Sequence, residues 1–497
     1  MSAIYTIPRP VRQWSVLLGA LGLVWILAIS ETTGSPISKD ASENLRMALN
    51  LERHGVISMD ERPPYHPSMW REPVPIAVLA VAIYTTDIVL GKAEPSAYFQ
   101  GARARYLKLS NLGWLTLLTI SAFLAIRYFT SSFLLSLLGS IFVALDFTWL
   151  VPPDVRSWLG IDGLDTEVAG AALFVAASLL LAVGVARRSR LEMIGASLCF
   201  ALCALTKAAL FYVYIGALGV LAAYWAIAAM RLRAGAPRLS LASLGALTIP
   251  FLLVTMSWMY RNQVQTGHFQ IAERSGSGLM YRALMDDATA EEYRGMFAVW
   301  GEPHLRRIVS WLTGFSDADL EAGGRLQRLS EKLSGEAEKH EQWAEEAGRP
   351  DQTITWYRTG RAIYEAKLAQ FTREGNSYPS GAADLATRNE AIKLIVQRPI
   401  KFAAMMVPLI WRSASLTFPV LLVAFLYGWR RARVDLLLFV LPAIGLVLFY
   451  AAASQFVPRY GFVFGPTAIV ALLILCAAAE TALGRTRSQA PAARAVS

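Results

Sequence analysis

The chain has 497 residues, 55% of them hydrophobic and only 17% charged, a balance too apolar for a water-soluble protein of this length. Its formal charge of +10 does not indicate nucleic acid, because the one long polar stretch, 262–400, holds 17 Lys/Arg against 20 Asp/Glu and leaves the positive surplus to the apolar remainder. Lys and Arg concentrated beside apolar segments mark the cytoplasmic loops of a membrane protein. Cys199, Cys203 and Cys476 all fall inside apolar runs and imply no disulfide framework.

In chain order, apolar runs occupy 14–30, 74–90, 115–126, 132–150, 168–186, 191–230 (long enough for a hairpin), 239–260, 402–429, 436–453 and 461–479. They predict an all-α, polytopic transmembrane bundle of about eleven spans, since a tilted helix needs about 17–25 apolar residues to cross the hydrocarbon. With ten further spans after it, the first run reads as a retained helix rather than a cleaved signal. Basic clusters at Arg9/Arg12, Arg103/Arg105/Lys108, Arg187/Arg188/Arg190, Arg231/Arg233/Arg238, Arg430/Arg431/Arg433 and Arg485/Arg487 are placed in the cytoplasm. Segments 31–71, 160–167 and 262–400, and the hairpin turn at Lys207, then fall outside. Between 74 and 150 the parity fails by one crossing, so one of three apolar runs is re-entrant, interfacial or miscounted.

The chain thus divides into an N-terminal membrane module, 1–261, with a long outer loop, 31–72; an extracytoplasmic, mainly helical segment, 262–400; C-terminal spans, 401–483; and a disordered cytoplasmic tail, 484–497. Within the polar segment, 326–346 and 355–373 are rich in helix-forming residues. Segment 386–406 alternates basic and apolar residues as an amphipathic helix on the outer membrane face would.

Motifs that are missing narrow the chemistry. There is no phosphate-cradling Gly-Lys-Ser/Thr loop, no dinucleotide glycine fingerprint and no His-Glu-x-x-His. Ser275-Gly276-Ser277-Gly278 reads as a flexible loop. The outer loop is the richest feature, because a connection of its length is usually functional or disordered. Asp40 precedes a helical pattern, which makes it either an N-cap or a catalytic carboxylate. Arg71, Glu72, His54 and His66 are candidate substrate contacts. Asp165 and Glu167 open a span on the same side, where they either complement the helix dipole or position an acceptor, orient a base or share a metal ion. Lys207 is costly among apolar residues and calls for an anionic partner or water. Arg261 and Arg459 lie at outer helix ends, placed to snorkel to headgroups or to bind a substrate phosphate. The five histidines match no metal-ligand spacing.

Taken together these residues resemble the GT-C superfamily of polyprenyl-phosphate-dependent glycosyltransferases, which includes protein O-mannosyltransferases and lipid A aminoarabinose transferases. Four stretches carry the likeness in order: 40–55 with Trp70-Arg71-Glu72-Pro73-Val74-Pro75; Asp165-Thr166-Glu167; Ala204-Leu205-Thr206-Lys207; and Trp258-Met259-Tyr260-Arg261-Asn262 with Gly267. Segment 391–399 and Pro458-Arg459-Tyr460 agree. The resemblance implies an inverting membrane transferase of the bacterial inner membrane, its site extracytoplasmic, that moves a sugar from a polyprenyl-phosphate donor to an envelope glycan, lipid or protein. It implies Asp40 as general base, with Asp165 and Glu167 beside it and Lys207, Arg261 and Arg459 on the donor phosphate. Some members hold a divalent metal on such carboxylates, here Asp40, Asp165 and Glu167, and others use none. Two other readings fit the same pattern: a lipid or sugar-lipid transporter gated by Lys207 and the acidic pair, or a non-enzymatic partner in envelope polysaccharide assembly.

Overall fold

A computed structural model describes residues 9–37, 39–148, 150, 160–230, 240–273, 275–301, 303–321, 323–330 and 355–489. The regular elements among the described residues are all helical. Helices are what the apolar runs must form, because a segment in hydrocarbon has to satisfy its own backbone hydrogen bonds.

The first half holds α1 (Arg9–Glu31), α2 (Lys39–His54), α3 (Pro73–Leu90), α4 (Gly101–Lys108), α5 (Asn111–Thr130), α6 (Phe133–Thr148), α7 (Glu167–Arg187), α8 (Arg190–Ala204), α9 (Ala209–Met230) and α10 (Leu241–Thr266). The polar segment adds α11 (Ser275–Leu284), α12 (Ala290–Val299), α13 (Pro303–Thr313), α14 (Trp356–Arg373) and α15 (Pro379–Gln397). The chain ends with α16 (Pro399–Ala414), α17 (Thr417–Arg430), α18 (Val434–Ala453) and α19 (Gly461–Gln489).

Among the described residues seven helices are long and apolar enough to cross a membrane, or eight if the bent pair α15–α16 counts as one. The chain is therefore a multi-pass helical membrane protein. This measure does not reach the expected eleven spans, because α6, α17 and the 209–223 part of α9 are apolar but short.

The core centres on α7, whose sequence is apolar on every face and which is buried along nearly its whole length. Its many Gly and Ala residues let α5, α8, α18 and α19 pack closely around it. Twenty-one residues give α7 a length of about 30 Å, so it separates two ends of the molecule. At one end lie Asp162 and Glu167; at the other, Arg187 stacks on Tyr128 and Arg433 on Phe129, both near the end of α5.

This polarity corrects one expectation. Arg103, Arg105 and Lys108 were expected beside the other cytoplasmic basic clusters, yet Lys108 is buried at the acidic end. Its ammonium donates to Asp162 at 3.1 Å and to the Ser35 hydroxyl at 2.8 Å. Arg103 pairs with Asp87 at 3.2 Å. These cations answer local carboxylates, and charge counting alone cannot distinguish that from a loop signal.

The 74–90 run, one of the three between 74 and 150, lies alongside α2. One face of α3, Ile76, Leu79 and Ile83, packs on Leu45, Ala48 and Leu49 of α2. Both ends of α3 are fastened to segments of the acidic end. At its start the Val74 N–H donates to the Leu205 carbonyl at 3.1 Å. At its finish Asp87 accepts from Tyr98, while the neighbouring Phe99 carbonyl accepts from the Ile37 N–H at 3.0 Å and the Gly101 N–H donates to the Gly34 carbonyl at 2.8 Å.

Other expectations change at prolines and glycines. The helix expected over 386–406 is two helices, α15 and α16, bent by 104° where Pro399 starts the second. Proline supplies no N–H and disfavours helical geometry at Arg398 before it. The run 402–429 is likewise divided between α16 and α17. Ser275 to Gly278 form the first turn of α11 rather than a loop, with Asp384 accepting from the Gly276 N–H at 2.8 Å and the Ser275 hydroxyl at 2.9 Å. The expected helix over 355–373 is α14, capped by Thr355. Of 326–346 only a short turn, Gln327–Leu329, is seen, and 331–354 lie outside the described residues. The last helix continues through Gln489, past the expected start of the tail at Gly484.

Candidate functional site

The site forms at the acidic end, where the loop after α1, the start of α3, the α8–α9 turn and the entry to α19 meet. Asp40 lies in the first turn of α2, and Glu43 follows three residues later on the same face. Arg71 sits between them, donating from Nη2 to Asp40 Oδ1 and from Nε to Glu43 Oε2, each at 2.7 Å. The Trp70 indole N–H donates to the same Glu43 oxygen at 3.0 Å. The second Asp40 oxygen, Oδ2, accepts from Arg459 Nη1 at 2.7 Å. Asp40 therefore joins two guanidinium groups from opposite ends of the sequence. Burial opposes the charge on Arg71, but the carboxylates of Asp40, Glu43 and Glu72 outweigh it and hold the guanidinium more firmly protonated than usual.

The next residues stitch this cluster to the bundle. Glu72 Oε1 accepts from the Ala208 N–H at 3.1 Å, beside the Val74–Leu205 backbone bond. The turn so held carries Lys207, which is 9% exposed and donates from Nζ to Glu167 Oε1 at 2.9 Å. Lys207 and Arg459 both approach the Tyr460 ring, at 5.8 and 5.5 Å from its centroid. Asp165 stands in the turn before α7. Burial, together with the negative charges of Glu167 and Asp40, pushes its carboxyl up to about 7 against the pull of Arg459 and Lys207. Asp40, Asp165, Glu167, Lys207 and Arg459 thus form one interacting charge cluster.

An apolar groove of about 580 Å³ runs between α3 and the α4–α5 junction, lined by Val78, Val81, Ala82, Tyr106, Leu109 and Ser110 among others. Val78 and Ser110 also line a narrower gap that reaches Asp165 and Thr166. Of the charge cluster, Asp165 lines this gap.

A second network fixes the far side of the outer loop. The Tyr378 hydroxyl donates to Glu273 and accepts from the Met69 N–H at 3.1 Å. The Glu273 N–H donates to the Met69 carbonyl at 3.0 Å, and Arg261 Nη1 to the Ser68 carbonyl at 3.3 Å. Burial and the adjacent Glu273 carboxylate raise the Tyr378 phenol above its ordinary range, so it stays a proton donor. Arg261, expected on a donor phosphate, therefore serves the loop backbone here and lies over Trp258 at 4.8 Å. His54 stacks on Tyr65 at 4.2 Å and His66 lies 3.0 Å from Asp60, so both belong to the return part of the loop rather than to the cluster.

The expected trio of metal ligands does not converge. Asp40 binds Arg71 and Arg459, Glu167 binds Lys207, and among the described residues no three His, Cys, Asp or Glu side chains are grouped to hold an ion.

Glu43, Tyr378 and Glu273 escaped the sequence reading. Glu43 carried a signal, the three-residue spacing from Asp40 on a helix. Tyr378 and Glu273 carried none, because their partner Met69 lies more than 200 residues away. Compared with known proteins, the chain matches no family model and no curated relative.

Proposed function

We propose that this protein transfers a sugar from a polyprenyl-phosphate donor to an acceptor hydroxyl at the extracytoplasmic membrane face. The observation that carries this reading is the charge cluster of Lys207, Arg459 and three carboxylates, with an apolar groove nearby and a gap beside it lined by Asp165. An isoprenoid tail suits the groove, and a phosphate suits the two cations beside Tyr460. In this reading α3 lies in the membrane interface with its exposed Val81, Tyr84 and Ile88 toward lipid, which leaves the outer loop and 262–400 on one side.

In the resting arrangement both Asp40 oxygens are held by guanidinium groups. A donor phosphate entering beside Lys207 competes for Arg459 and releases one Asp40 oxygen. That oxygen takes the proton from the acceptor hydroxyl as the hydroxyl attacks the anomeric carbon and the lipid phosphate departs, with inversion. Arg459 and Lys207 stabilise the charge that develops on the leaving phosphate. Asp165, whose carboxyl titrates near neutrality, sits where it can accept that proton onward.

The test is to reconstitute the protein with labelled polyprenyl-phosphate sugars and follow release of label from the lipid. Asp40→Asn is expected to lower turnover by about 10²–10⁴ while the protein still folds. Undiminished transfer in that variant overturns the assignment. Movement of intact labelled lipid between leaflets, with no bond broken, establishes the transporter reading instead.

A further inference from the structure

Helix α13 has a composition unlike its neighbours. Its sequence, PHLRRIVSWLT, contains two arginines and no acid. His304, Ile308, Trp311 and Leu312 follow helical spacing and share one face. That face is open: Ile308 is 55% exposed, Trp311 80% and Leu312 68%. The other side is engaged, with the Ser310 hydroxyl donating to the Ala298 carbonyl at 3.3 Å and Arg306 Nη1 to the Val299 carbonyl at 3.2 Å. Among the described residues neither Arg306 nor Arg307 forms an ion pair. Gly314, at a φ of 70°, ends the helix.

The position of α13 follows from what carries it. It packs on α12, and α12 is fastened to α16. The Trp411 indole N–H of α16 donates to the carbonyls of Phe297 at 3.1 Å and Trp300 at 2.9 Å, and Arg412 lies 4.6 Å from the Trp300 ring. Within a few residues α16 gives way to α17, an apolar helix ending in Arg430. The apolar face of α13 is therefore held close to where the chain enters the bilayer.

We propose that α13 is a surface anchor that docks on lipid and binds anionic phospholipid headgroups through Arg307, which flanks the apolar face. Trp311 is suited to the boundary between headgroups and acyl chains, and Arg307 can reach phosphate while its stem stays on apolar surface. The absence of acids makes the patch complementary to a negative membrane surface. This assignment does not depend on the transferase reading.

The test uses the full chain in lipid nanodiscs, with the three native cysteines replaced by serine and a spin label at Trp311→Cys or at Thr313→Cys, on the opposite face. The label at 311 is expected to be relaxed by oxygen and the label at 313 by a water-soluble nickel chelate. Arg307→Glu is expected to lower enrichment of phosphatidylglycerol over phosphatidylcholine roughly fivefold. Arg307→Gln serves as the milder variant should charge reversal impair folding. A water-exposed label at 311 overturns the proposal, as does unchanged lipid enrichment in the arginine variants. Label-to-label contact between two copies at 311 also overturns it, by making this face a subunit interface.

Discussion

Replacing Asp165 with asparagine tests the electrostatics of the site most directly. Asp165 is ringed by two negative groups, Glu167 and Asp40, and two positive ones, Arg459 and Lys207, and its carboxyl titrates at about 7. If turnover needs the ionised form, kcat/KM should rise with pH, about tenfold per unit below 7, and level off above it. Asp165→Asn should remove that inflection and flatten the profile between pH 5.5 and 8.5. Glu167→Gln removes the nearest negative charge and should shift the inflection to lower pH. The assay is release of labelled sugar from its polyprenyl phosphate in nanodiscs across that range. Persistence of the inflection in Asp165→Asn would refute the reasoning, because the titrating group would then lie elsewhere. His54 and His66 are held outside the cluster by Tyr65 and Asp60.

The same group makes stability depend on pH. Folded, Asp165 keeps its proton to about pH 7; unfolded, it loses it near the ordinary value of about 3.9, so its contribution to stability falls as pH rises through that window. Thermal unfolding in detergent should show this slope weakened in Asp165→Asn. Lys207→Met leaves the buried Glu167 without its 2.9 Å partner and should cost about 3–5 kcal/mol; adding Glu167→Gln should recover most of it in the same unfolding assay. Tyr378→Phe removes the acceptor of the Met69 N–H and should cost about 1–3 kcal/mol of local stability, read as faster hydrogen exchange at that amide. Finally, if α3 does not cross the bilayer, Arg62→Cys and Lys92→Cys should react with an impermeant thiol reagent from one face of sealed vesicles, and Arg431→Cys only from the other.

Some of the site could be read from local rules alone. Apolar runs defined most helices, since burial in lipid leaves the backbone no alternative to helix. The cost of Lys207 in an apolar hairpin predicted an anionic partner, and the structure supplies Glu167. Asp40 stood out because a long loop held it at the start of a helix. None of these needed knowledge of distant contacts.

What tertiary structure decided was pairing. The sequence places Arg71, Arg459 and Asp40 in separate segments, and only folding brings two guanidinium groups to one carboxylate. Lys108 illustrates the same limit: its charge matched a cytoplasmic cluster, but a buried charge goes where its counterion is, here Asp162. The apolar run of α3 is long enough to span, but only folding shows that one of its faces packs on α2. Length and hydropathy fix what a helix can bury, while its neighbours fix where it does so.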